Sequence, residues 1–210
     1  MCQALAECAL VWGVMPEELD VEVTEEDGAP APPLDPEVAA RREAALRHVV
    51  QFGDPVLKAK ALPVDRFDDE LRAEVGRMGL LMDDALGVGL AATQLGALRR
   101  VLVYRVVAGG PLAALVNPVL EWKGKQQETM EEGCLSLPGV HVDVERPLHV
   151  RVRAQDADGD EITVEASGLE ARVIQHEMDH LDGVLILDRT SREQRKLAIR
   201  ALREAEQPAA

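Results

Sequence analysis

Between residues 68 and 86 the apolar side chains Leu71, Val75, Met78, Met82 and Ala85 recur at steps of four and three, the spacing that lines one face of an α-helix. Gly76 and Gly79 weaken this helix without abolishing it, and Gly87 supplies a natural C-terminal stop. A shorter helix is expected from Asp35 or Pro36 to His48, because proline suits a first helical turn and an Ala- and Arg-rich run sustains it; Gly53-Asp54-Pro55 breaks it. Residues 101–107 and 112–120 are strand-forming runs, the second interrupted at Asn117-Pro118. Over residues 148–154 Val150 and Val152 alternate with Arg151 and Arg153, and Ile162 and Val164 alternate beyond a turn at 156–160, which predicts a hairpin. Helical spacing returns at residues 169–181, with Ile174, Met178 and Leu181 on one face, and Asp182-Gly183 ends it. Residues 184–187 can form one more strand. Strands thus cluster ahead of the last long helix instead of alternating with helices, which predicts an α+β fold with mostly antiparallel sheets.

Composition changes this picture only at the N-terminus. Aromatic residues make up 2% of the 210, so aliphatic side chains must build the core of one sizeable domain. The net charge is −15, but residues 1–40 hold ten carboxylates and no Lys or Arg; the other 28 carboxylates face 23 basic residues, a balance of −5. The acidity therefore says little about a substrate. The acidic run at 17–27 and Gly28-Ala29-Pro30-Ala31-Pro32-Pro33 resist regular structure, so residues 1–46 are read as an acidic, Pro-rich extension. Cys2, Cys8 and Cys134 are too few for a disulfide framework, which favours a reducing compartment. With no secretory signal and no apolar run of membrane-spanning length, a cytoplasmic protein acting away from membranes and DNA is expected.

The chemistry is concentrated in His176-Glu177-Met178-Asp179-His180, which has the H-E-x-x-H spacing. Residues four apart on a helix stack on one face, so His176 and His180 can hold one metal ion while Glu177 takes a proton from water activated beside it. A surface helix that happens to carry two histidines is the competing reading. The metzincin extension of the motif fails, because its last position is Ile186, which cannot ligate. Glu193, Glu204 and Glu206 sit among basic residues of a charged tail. Upstream, Gly133 and Pro138 constrain a loop presenting Cys134, whose thiolate could complete a two-His, one-Cys site with a fourth position open; a buried unreactive cysteine is the alternative. The stretch from Gly87 to Gln94 looks like a dinucleotide fingerprint, but it follows a helix where that fingerprint must follow a strand.

Three stretches together narrow these choices. Gly87-Val88-Gly89-Leu90-Ala91-Ala92-Thr93-Gln94, Glu132-Gly133-Cys134-Leu135-Ser136 and Gln175-His176-Glu177-Met178-Asp179-His180 resemble, in order and spacing, the three signature motifs of peptide deformylases, and Gly53-Asp54-Pro55-Val56-Leu57 is similar to the family's entry segment. The resemblance covers residues 49–188. It implies a metal-binding helix at the centre of antiparallel sheets, and removal of the formyl group from N-formylmethionine on nascent polypeptides. It implies that Cys134, His176 and His180 hold one divalent ion, iron in the cell and replaceable by zinc, nickel or cobalt. Glu177 would be the general base and then the acid, and Gln94 and the backbone N–H of Leu135 would stabilise the oxyanion. Val88 and Gly89 would bind the substrate backbone as a strand, with Glu132, Leu169, Arg172 and Val173 near the methionine pocket. Gln175 and Asp179 read as groups that orient the ligands.

His141 departs from the family pattern, in which a basic Arg commonly follows the cysteine loop, and is a candidate contact to the far end of the substrate. That position leaves room for an amidohydrolase acting on another N-acyl group. An inactive metal-binding, ribosome-associated protein is the remaining class, against which Glu177 and Gln94 argue. The domain reading is an extension at 1–46, a metal-dependent catalytic domain at 47–188 and a basic helical tail at 189–210. The tail is expected as a solvated amphipathic helix whose basic face could meet ribosomal RNA.

Overall fold

The apolar spacing between residues 68 and 86 produces helix α2, Asp69–Asp84, in the computed structural model, which describes residues 34–205. Asp68 caps it by accepting a hydrogen bond from the Leu71 N–H at 3.2 Å. Helix α1, Pro36–Leu46, begins in the same way, with the Asp35 carboxylate accepting from the Glu37 N–H. The acidic and Pro-rich runs at 17–33 lie outside the described residues.

Seven strands follow: β1 (Gly89–Ala91), β2 (Val101–Tyr104), β3 (Ala113–Lys123), β4 (Gln127–Cys134), β5 (Leu137–Pro147), β6 (His149–Gln155) and β7 (Glu161–Ser167). They form an antiparallel sheet in the order β1-β2-β3-β6-β7 and a separate antiparallel hairpin, β4-β5. Helix α3, Gly168–Leu181, follows β7 directly, and α4, Arg192–Ala205, ends the described chain. The α+β architecture with antiparallel pairing is thus the observed one.

Burial explains the sequence pattern. Val101 and Val103 of β2 join Leu71, Met78 and Met82 of α2 in one core, whereas Leu102 and Tyr104 join Ala171, Ile174 and Leu181 of α3 in another. A strand covered on both faces needs apolar residues at every position, which is why β2 reads as a continuous run. Strand β5 alternates instead: Val140, Val142 and Val144 face a third core that includes Leu185, Leu187 and, from α4, Ala198 and Leu202. Helix α4 is therefore amphipathic with its apolar face packed and its basic residues outside. No helix among the described residues is long and apolar enough to cross a membrane.

Three local expectations change. Strand β3 is not interrupted at Asn117-Pro118; the register shifts between Val116 and Val119, Asn117 takes φ 52°, and the bulge accommodates a residue without an N–H. The Asn117 side chain fixes the bulge by accepting from the Val64 N–H and donating to the Val64 carbonyl, both at 2.8 Å. Residues 184–187 form no strand, because Ile186–Asp188 turns as a 3-10 segment held by the Asp188 carboxylate on the Leu185 N–H. The constrained loop around Cys134 is the tip of the β4-β5 hairpin, with Cys134 paired to Leu137 after a register shift at Gly133.

Leu71 has no exposed surface. Replacing it with Ala should cost about 2–5 kcal/mol, by lost burial and the cavity left behind. Urea unfolding would show this as a lower midpoint at unchanged slope; an unchanged midpoint would mean that α2 does not close this core.

Candidate metal centre and active site

Helix α3 carries the H-E-x-x-H residues on a buried face. The rings of His176 and His180 lie 5.1 Å apart between centroids, and Glu177 is 3% exposed. The β4-β5 tip brings Cys134 to the same place, with its Sγ 3.2 Å from His180 Nε2. One donor atom each from Cys134, His176 and His180 lies within 4.8 Å of the others. Two imidazoles and a thiolate suit a divalent transition metal with bonds of about 2.0–2.3 Å.

A second ring of contacts aims these donors. His176 Nδ1 is 3.0 Å from Glu132 Oε2, which leaves Nε2 to ligate. Glu132 in turn receives two hydrogen bonds from Arg146, at 2.6 and 2.9 Å, and one from Arg172 at 2.7 Å. Arg146 also reaches Asp179 at 2.9 Å, and Asp179 is held again by Arg189. Burial works against a charge on Glu132, but the hydrogen bonds to His176 and Arg146 and the Arg146 charge hold its carboxyl well below the usual carboxylate range. Gln175 donates to the carbonyls of Pro147 and Ala171 and so braces α3 against the hairpin.

Glu177 behaves differently. Burial pushes its carboxyl up to about 7, and Oε2 is buried with no hydrogen-bond partner in the protein. An unpartnered carboxylate oxygen beside three metal donors fits a site that takes an ion and a proton-bearing ligand. Gln94 is 1% exposed. Its Oε1 accepts from the Ala91 N–H at 2.9 Å, which turns Nε2 toward Cys134 Sγ, 3.7 Å away, and Ser136 Oγ, 3.4 Å away. Leu135 follows Cys134 at the hairpin tip.

The remaining residues line one cleft. Val88, Gly89, Leu169, Val173 and His141 share its wall with Cys134, His176 and Glu177. Strand β1 is the edge of its sheet, paired only with β2. It runs so close to α3 that a Cβ at Gly89 would fall 2.5 Å from Glu177 Oε1 and 2.8 Å from Val173 Cγ1. Glu132 and Arg172 also line the cleft, but both are buried and bound to each other. Sequence reading missed Arg146, although its signal was present: it is the one charged side chain on the inward face of β5, in step with Val140, Val142 and Val144. It also missed Arg42, Leu46 and Met130 on the cleft wall, which no local pattern marks.

Residues 46–196 match the family model described as polypeptide deformylase. The chain belongs to the peptide deformylase family. It is 49% identical to the peptide deformylase of Acidothermus cellulolyticus over 162 residues, covering 77% of this chain and 88% of the relative. A peptide deformylase 1 from Corynebacterium efficiens is 47% identical over 163 residues, covering 77% and 96%. Among solved structures, the peptide deformylase from Synechococcus elongatus in complex with actinonin superposes with a TM-score of 0.71 at 40% identity, covering 77% of this chain and 91% of that one. Peptide deformylases are metal-dependent, which accords with the Cys134, His176 and His180 cluster.

The Gly89 contact yields a test. Gly89→Ala should push Glu177 aside, and with Glu177 read as the proton carrier deformylase kcat/KM should fall by about 100-fold, the scale of a displacement of about 1 Å. Circular dichroism and thermal melting would establish that the variant folds. Undiminished activity in the folded variant would show that Glu177 is not confined by β1.

Proposed function

We propose that this chain hydrolyses the formyl amide of N-formylmethionine on nascent polypeptides, releasing formate, with Cys134 Sγ and one ring nitrogen each of His176 and His180 holding a divalent ion. The donor set admits ferrous iron, zinc, nickel or cobalt, and the family resemblance favours iron in the cell. When bound, the ion polarises the formyl carbonyl and lowers the pKa of water.

Glu177 takes the proton of the attacking water at Oε2 and delivers it to the departing amide nitrogen, without which the tetrahedral intermediate would return to substrate. The Gln94 amide and the Leu135 backbone N–H donate to the formyl oxygen as its charge grows, each contributing on the order of 3 kcal/mol. The substrate backbone lies along the open edge of β1 at Val88 and Gly89. Leu169, Val173 and Met130 give the cleft the apolar wall that a methionine side chain needs. Glu132 and Arg172, bound to each other, line the same cleft near that pocket, and His141 is the candidate contact to the far end of the substrate. The observation that carries this reading is the unpartnered, buried Glu177 Oε2 beside the three-donor cluster.

Helix α4 adds a partner. Arg192, Arg195, Lys196, Arg200 and Arg203 are exposed while Ala198 and Leu202 pack inward, and this basic face is suited to the phosphates of ribosomal RNA. Replacing Arg192, Lys196 and Arg203 by Gln should weaken salt-sensitive cosedimentation with ribosomes without uncovering the core. Identical cosedimentation would remove the ribosome from the proposal.

The reaction is tested by formate release from formyl-Met-Ala and acetate release from acetyl-Met-Ala. The metal-loaded protein should act on the first and far less on the second, and chelation should abolish turnover. Glu177→Gln should lower kcat by about 10²–10⁴ while the metal stays bound. Activity surviving that substitution would refute the proton shuttle, and preference for the acetyl peptide would refute the substrate.

A further inference from the structure

Part of the active-site wall comes from outside the main body of the family match. Arg42 and Leu46 stand one turn apart on α1 and line the same cleft as Cys134, His141 and Leu169; the family match begins at Leu46, so Arg42 lies before it. Helix α1 is fastened in this position. Ala45 and Val49 are buried, Arg41 reaches Asp84 of α2 at 4.0 Å, and the Val50 N–H donates to the Gln94 carbonyl at 2.7 Å. The chain leaving α1 is therefore bonded to the same turn that positions Gln94.

The charges of the cleft are mostly neutralised within the protein. Glu132 is bound by Arg146, Arg172 and His176, and Arg172 also donates to the carbonyls of Val144 and Glu128. On α1, Arg41 and Arg47 engage Asp84 and Glu43. Arg42 differs: it is exposed on the cleft wall and pairs with no carboxylate among the described residues, Glu131 on the same lining included. A planar guanidinium beside an apolar Leu46, at the rim of a cleft suited to an extended peptide, matches a carboxylate carried by that peptide.

We propose that Arg42 is a specificity-determining residue that binds a carboxylate of the substrate beyond its formylated residue, from an acidic side chain or from the terminus of a short peptide. This rests on the deformylase reading of the site. The test compares kcat/KM for three peptides: formyl-Met-Ala-Ser-amide, formyl-Met-Ala-Glu-amide and formyl-Met-Ala-Ser with a free carboxylate. In Arg42→Gln the ratio of a carboxylate peptide to the neutral amide should fall roughly two- to fivefold, the scale of one exposed ion pair. Arg42→Lys should keep most of the ratio, and Arg47→Gln, off the cleft and paired only with Glu43 of its own helix, should leave it unchanged. A fall confined to the Glu peptide assigns the contact to a side chain, and one confined to the free acid assigns it to a terminus; either supports the proposal. Ratios unaffected by Arg42→Gln, with formate still released from all three, overturn it alone. No formate from any peptide with the metal-loaded wild-type protein overturns the deformylase reading itself.

Discussion

A carboxylate buried between two guanidiniums governs this structure. Glu132 meets Arg146, Arg172 and His176 with almost no exposed surface. Isolated, any of these charges would be costly to bury; assembled, each has its partners, and removing one would strand the others at about 3–5 kcal/mol. The cluster joins β4, β5 and α3, the elements that carry the cysteine and both histidines. It also fixes which nitrogen of His176 is free, so the candidate donor cluster of Cys134, His176 and His180 is braced by a charge balance one layer behind it.

The other side of the site is settled by close approach. Strand β1 is short and at a sheet edge, and Gly89 lets it pass against Glu177 with no room for a methyl group. The turn after it, Ala92–Leu95, holds the Gln94 amide by the Ala91 N–H. The buried Glu177 carboxylate, the Gln94 amide and the open edge of β1 are thus set by a few consecutive residues. Two constraints of different kind, an ion cluster and a steric contact, enclose one cleft, and α1 completes its wall.

Much of this was legible in the sequence because it repeats with a period. The faces of α2 and α3 and the β6-β7 hairpin follow from spacing, and His176, Glu177 and His180 follow from the same helical geometry. Cys134 required the resemblance of three separated motifs, since a lone cysteine has no period and its partners are 42 and 46 positions away in sequence. Three features were illegible for physical reasons. Asn117-Pro118 looks like a break because local rules cannot see that Val64 will bond the Asn117 side chain and stabilise a bulge. Leu185, Ile186 and Leu187 are apolar because they enter the core that the inward face of β5 lines, which a turn does as well as a strand. Arg42 sits on a helix surface like its neighbours, and only the docking of α1 gives it a cleft to face.

The affinity for a metal ion when the charge cluster is altered is the most direct measure of this dependence. Glu132→Gln keeps the size of the side chain but removes the charge that holds Arg146 and orients His176. Zinc binding by the folded variant, measured against a competing chelator, should be about 10- to 100-fold weaker than in the wild-type protein. Affinity equal to the wild type would contradict the claim that the buried cluster sets the metal centre.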